Sequence, residues 1–85
     1  MIRYTIVIAP RARKEIDRSN HVVKERIANA LEILAQNPFV GKSLKADLKG
    51  LYSYRIGDYR VIYGIVQQRL LIQVIKVMHR RDVYR

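Results

Sequence analysis

Two short connections constrain this chain more than any other feature. Gly57-Asp58 separates residues 51–56 from residues 59–66, and Gln67-Gln68 separates that stretch from residues 69–77. All three segments are rich in β-branched and aromatic side chains, which read as strands. Connections this short admit only hairpins, so the three strands must be antiparallel neighbours. The last segment is apolar almost throughout from Leu70 to Val77, interrupted by Gln73 and Lys76. Such a run predicts a central strand.

The N-terminal half supplies the covering layer. Residues 3–9 read as a first strand that ends at Pro10, and proline suits a first helical position because its missing N–H is not needed there. A short helix to about Arg18 follows, with Ala12 and Ile16 four apart on one face. Ser19-Asn20 interrupts it and caps the next helix. There Val23, Ile27, Ala30, Leu31 and Leu34 recur at helical spacing, with Lys24, Glu25, Asn29 and Glu32 on the other side. Asn37-Pro38 ends that helix, and residues 39–50, with Gly41 and Gly50, read as a basic loop. The order β-α-α-β-β-β predicts an α+β fold, a helical hairpin packed on one face of a four-stranded, mainly antiparallel sheet. At 85 residues the whole of 1–85 is expected to be a single domain.

Charge narrows the partners. The chain carries 17 Lys and Arg against 7 Asp and Glu, a net +10, and 49% hydrophobic residues exclude a disordered basic tail. Residues 51–85 alone hold seven basic and two acidic side chains, with six arginines among five of the six tyrosines. A positive field draws nucleic acid, anionic membrane or acidic protein alike. There is no cysteine, and His21 and His79 lie far apart, so neither a disulfide nor a metal site is expected, and no cofactor is implied. No apolar run approaches the roughly 18 residues that span a bilayer. Residues 5–9 are too short for a signal-peptide core. The expected location is cytoplasmic, with no membrane partner.

Side chains alternate faces along a strand. Ser53 and Arg55 therefore lie opposite Tyr52 and Tyr54, and Arg60 points away from Tyr59, Val61 and Tyr63. With helices on one face, the other should carry a shallow basic patch where Arg55, Arg60 and the tail of residues 80–85 converge. Arginine's planar fork suits phosphate, and tyrosine stacks on unpaired bases, a combination that fits single-stranded RNA better than a membrane surface. Arginines on an edge strand also discourage edge pairing and aid solubility. Tyr52, Tyr54, Tyr59 and Tyr63 share facing positions, which favours a cross-strand aromatic cluster over base stacking. Lys42, Lys45 and Lys49 are a solvated loop or contacts to RNA backbone.

These segments resemble a known family. Tyr52-Ser53-Tyr54-Arg55-Ile56-Gly57-Asp58-Tyr59-Arg60-Val61-Ile62-Tyr63 is similar to the central strand pair of the RelE/ParE toxin superfamily. Val77-Met78-His79-Arg80-Arg81-Asp82-Val83-Tyr84 is similar to its C-terminal signature. The opening Ala9-Pro10-Arg11-Ala12-Arg13-Lys14-Glu15-Ile16 and the long helix closed by Asn37-Pro38 match as well. The resemblance spans essentially the whole chain and lies closer to the RelE branch. It implies the toxin of a type II toxin–antitoxin pair, a metal-independent, ribosome-dependent mRNA endonuclease acting in the A site. Its implied partners are a RelB-like antitoxin, joined in an oligomer, and a 70S-type ribosome with its mRNA.

Carried over by position, the resemblance gives Arg60 the scissile phosphate, Arg80 the region of the leaving oxygen and Tyr84 the stacking or orienting of RNA. Arg55 falls where some members carry the second of two catalytic lysines, and some relatives use a histidine close to His79. Arg81 and Arg85 join Lys42, Lys45 and Lys49 as RNA- or ribosome-contacting candidates. Ser53 stands where relatives carry the first lysine, a departure that removes one positive charge. In such cleavage the 2′-OH attacks the adjacent phosphorus and the 5′-oxygen leaves, so the protein must align the RNA and neutralise the phosphorane. Arginines serve the second task but are poor proton carriers. Histidine exchanges protons near neutral pH, but His79 reads first as a strand-end histidine bonded to backbone. Two alternatives stay open: a ParE-like inhibitor of DNA gyrase without nuclease activity, and a decayed member that only binds its antitoxin.

Overall fold

Capping residues divide the N-terminal half as their chemistry requires. In the computed structural model, which describes residues 2–80, β1 (Thr5–Ile8) leads through Ala9 into α1 (Pro10–Arg18) and α2 (His21–Gln36). Pro10 stands in the first turn of α1. The Ser19 hydroxyl donates to the Glu15 carbonyl at 2.9 Å, closing that helix. One residue on, the Asn20 side chain accepts from the Val23 N–H at 2.9 Å and caps α2. Asn37 ends α2, its N–H bonded to the Ile33 carbonyl at 2.9 Å.

The rest of the chain is β2 (Lys42–Ser43), β3 (Leu51–Ile56), β4 (Tyr59–Val66) and β5 (Leu71–His79), with single helical turns at Pro38–Val40, Ala46–Leu48 and Gln67–Arg69. The sheet order is β1-β5-β4-β3-β2. β1 pairs parallel with β5, and the other pairs are antiparallel. The final strand lies inside the sheet, between β1 and β4, as its apolar run predicts.

The sheet has five strands rather than the expected four. The extra one is Lys42–Ser43, which pairs with Ser53 and Tyr52 at the edge beside β3. It falls inside the stretch expected to be a loop, because two residues are too few to display alternation. β5 also begins and ends two residues later than expected. Its connection from β4 is a helical turn closed by Leu70 at φ 49, a left-handed residue, not a two-residue hairpin.

Both helices cover one face. Ala12 and Ile16 of α1, Ile27 and Leu34 of α2, Val61 and Tyr63 of β4, and Ile72, Val74 and Val77 of β5 form the core. Val23 and Leu31 pack partly buried against it. Tyr63 is its largest fully buried side chain, and its hydroxyl donates to the Pro38 carbonyl at 2.6 Å. An exposed bidentate pair from Arg3 to Glu32, both contacts 2.6 Å, ties the segment before β1 to α2. Those hydrogen bonds hold the Glu32 carboxyl below its ordinary pKa.

Candidate nucleic-acid interface

The uncovered face of the sheet is built by register. Residues directly opposite in an antiparallel pair share a face. Arg55 of β3 is opposite Arg60 of β4, and Arg60 is opposite Met78 of β5. The neighbouring row reads Lys42, Ser53, Ile62, Lys76 across β2 to β5. Four cations thus occupy two successive rows on the face away from the helices. No strand carries an aspartate or glutamate. Successive rows on one face lie about 7 Å apart and neighbouring strands about 4.8 Å apart, so the face is a compact basic surface with Ile62 and Met78 between its charges.

Lys76 reaches this face through an irregularity that sequence alternation does not anticipate. Ile62 pairs with Lys76 but Tyr63 pairs with Val74, leaving Ile75 as an extra residue in β5. Counting by twos from the buried Ile72 and Val74 would place residue 76 in the core. The bulge instead turns Lys76 outward and Val77 inward, and Val77 is 5% exposed. No motif marks Lys76; its one sequence signal is a cation inside an otherwise apolar run.

The residues singled out from sequence distribute as follows. Arg55 and Arg60 come together on the open face. The Arg55 Nε donates to the Gly57 carbonyl at 3.2 Å, which steers its guanidinium toward the β3–β4 turn. Ser53 lies between Lys42 and Ile62 and is 8% exposed. Lys42, Lys45 and Lys49 are all exposed, but Lys42 alone is paired into the sheet. Arg80 follows the end of β5, where its N–H donates to the Asp58 carbonyl at 2.5 Å. Its guanidinium lies 3.9 Å from the Asp58 carboxylate, an exposed pair of little energetic weight. Arg81, Tyr84 and Arg85 lie outside the described residues.

His79 lies on the other face. It is opposite Tyr59, on the side covered by the helices, and the two rings meet edge to face at 4.9 Å. Both line a small cleft with Val23, Arg26, Ile27, Ile56 and Asp58. His79 therefore sits opposite Met78 in facing, as alternation predicts, and at the end of the sheet rather than beside Arg60. The expected tyrosine cluster forms in part: Tyr52 stacks on Tyr63 with centroids 5.6 Å apart, Phe39 meets Tyr52 edge-on at 6.1 Å, and Tyr54 packs against the same core, while Tyr59 turns to His79 instead. Burial pushes the Tyr63 phenol up to about 12, so it is a packing group.

Comparison with known proteins agrees with this architecture. A family model described as the ParE toxin of type II toxin-antitoxin systems matches residues 6–84. Toxin RelE of Mycobacterium tuberculosis is 36% identical over 88 residues, covering 96% of this chain and 87% of that protein. Toxin RelG of the same organism is 31% identical over 84 residues, covering 96% and 97%. Among solved structures, the RelBE2 toxin-antitoxin complex of M. tuberculosis superposes with a TM-score of 0.88 at 28% identity, covering 96% of this chain and 97% of its counterpart. The E. coli RelBE complex shares the fold, with a TM-score of 0.78 at 20% identity. With sequence, family model and fold in agreement over nearly its whole length, the chain belongs to the RelE/ParE superfamily of type II toxin–antitoxin toxins.

Proposed function

We propose that this toxin is a ribosome-dependent endoribonuclease that cuts messenger RNA in the A site and so stops translation in the cytoplasm. The observation that carries the reading is the open sheet face, where Arg55 and Arg60 stand opposite one another on a sheet without a single carboxylate. Two like charges directly across a strand pair oppose folding, and a bound phosphodiester relieves that repulsion.

In this reading the RNA supplies its own nucleophile: the 2′-hydroxyl gives up its proton to water and attacks the adjacent phosphorus, forming a 2′,3′-cyclic phosphate as the P–O5′ bond breaks and the 5′-oxygen takes a proton. Arg60 binds the scissile phosphate and neutralises the developing phosphorane, and Arg55 adds the second positive charge. Arg80 and His79, consecutive at the end of β5, serve the leaving oxygen, since an imidazole can hand over a proton and a guanidinium cannot. RNA reaches His79 from the end of the sheet. Tyr84 orients the base, and Lys42, Lys45, Lys49, Arg81 and Arg85 hold the message or ribosomal RNA. A RelB-like antitoxin with an acidic or amphipathic segment neutralises the +10 charge, in line with the toxin-antitoxin complexes among the similar structures.

The test is primer extension on a message in a purified translation reaction, with wild type and Arg60→Ala. Breaks within codons that require ribosomes, and that vanish with Arg60→Ala, are expected. Intact message alongside growth arrest on expression would overturn the reading and direct attention to gyrase supercoiling.

A further inference from the structure

We infer that Lys76 is a phosphate-contacting residue of the RNA surface, holding the phosphodiester next to the one bound by Arg60. The inference rests on the RNA-cleaving reading above. The bulge at Ile75 places Lys76 opposite Ile62, one row from the Arg60–Met78 pair. Arg60 and Lys76 are thus diagonal neighbours across β4 and β5, about 7–8 Å apart at the backbone, within reach of two long side chains working along one strand of RNA. Lys76 is half-buried, as a long side chain with an apolar stem permits.

Its surroundings favour an anion from outside. Among the described residues no carboxylate approaches Lys76 within ion-pair distance. Glu15 lines the same shallow cleft, together with Arg11, Val77 and Met78, but that carboxylate lies 3.7 Å from Arg18. Lys42 ends the same row on β2, about 14 Å away across three strand spacings. Arg60 lies on the row between, so the cations run diagonally over the open face and not along one edge. The ligand chemistry is a single-stranded RNA backbone, whose phosphates recur along a flexible strand. Lysine suits such a contact as a point charge without base preference.

The plainer role for Lys76 is edge protection. β1 pairs with β5 only through Val74, so residue 76 lies on a stretch of β5 without an outer neighbour, and lysines guard such edges. The two roles differ in salt dependence. Each phosphate contact to single-stranded nucleic acid contributes about 0.7 to the slope of log affinity against log salt.

The experiment measures binding of a labelled single-stranded RNA, its 2′-hydroxyls methylated to block cleavage, over a range of salt. Wild type, Lys76→Ala, Lys76→Arg, Arg60→Ala and Lys24→Ala are compared. Lys76→Ala should lower the slope by about 0.7, Lys76→Arg should restore it, and Lys24→Ala, on the exposed side of α2, should leave it unchanged. A wild-type slope in Lys76→Ala, with a reduced slope in Arg60→Ala, overturns the role of Lys76 and leaves the RNA reading standing. An equal drop in Lys24→Ala overturns it too, because net charge alone then explains the loss. Wild type without salt-dependent binding overturns the role of Lys76, while primer extension on ribosomes decides the cleavage reading separately. Should Lys76→Ala fail to fold, Lys76→Gln carries the same comparison.

Discussion

Arg55 and Arg60 stand directly opposite each other on the β3–β4 hairpin, on the face the helices leave uncovered. Like charges in that relation are destabilising by roughly 0.2–1 kcal/mol, and no strand carboxylate offsets them. Replacing Arg60 by Gln is therefore expected to raise the unfolding free energy by up to about 1 kcal/mol while abolishing message cleavage. Urea unfolding and primer extension on the same preparation check both halves. A destabilised, inactive variant would instead mark Arg60 as a structural residue.

Tyr63 makes a second prediction, in alkali. Buried in the core, its phenol is held at about 12 instead of 10. The unfolded chain thus loses this proton first, so the stabilisation is complete below pH 10 and drains away as pH rises from 10 to about 12. Tyr63→Phe removes that dependence and also leaves the buried Pro38 carbonyl without its donor, which costs about 1–3 kcal/mol at neutral pH. Unfolding midpoints followed from pH 8 upward, roughly, should show the gap between wild type and Tyr63→Phe closing through that window. A gap independent of pH would refute the assignment.

Much of this architecture was legible because alternation and turn chemistry leave a mark in sequence. Tyr52, Tyr54, Val61 and Tyr63 against Ser53, Arg55 and Arg60 sort two faces by period alone, and Gly57 at φ 57 supplies the left-handed residue the turn requires. The helical faces were equally plain, since Ile27 and Leu34 recur at helical spacing and are buried. What escaped had no pattern to offer. Lys42–Ser43 is too short a strand to alternate. The bulge at Ile75 shifts the phase of a largely apolar strand, and its one trace is a cation, Lys76, where simple alternation would put a core residue. The facing of His79 opposite Met78 was legible, but its contact with Tyr59 depends on the β4–β5 register, which the bulge shifts.

Gly41 is needed for space, not for backbone freedom. Its φ is −74, open to any residue, yet a Cβ there would come within 2.2 Å of the Tyr63 hydroxyl and 3.1 Å of the Ser53 carbonyl. Gly41→Ala should cost about 1–3 kcal/mol, the usual penalty of overpacking. Tyr63→Phe removes the nearest atom, so the double variant should lose less than the sum of the single ones. Strict additivity in urea unfolding would show that the strand moves aside and the contact carries no cost.

The family resemblance implies a catalytic lysine where this chain has Ser53, and the register puts a cation next door. Lys42 of β2 is directly opposite Ser53, so its ammonium projects over the same open face, one strand spacing (about 4.8 Å) further out. Lys45 and Lys49 flank the helical turn at Ala46–Leu48, outside the sheet. Removing Lys42 should therefore reduce cleavage on ribosomes more than removing Lys45 or Lys49. Ser53→Lys should then rescue Lys42→Ala, because it returns a cation to the same row. In the wild-type background Ser53→Lys places like charges opposite each other and should cost roughly 0.2–1 kcal/mol of stability. Cleavage rates and unfolding midpoints for the five variants decide the matter: equal losses from all three lysines would reduce Lys42 to general attraction, and failure of the rescue would separate it from the site.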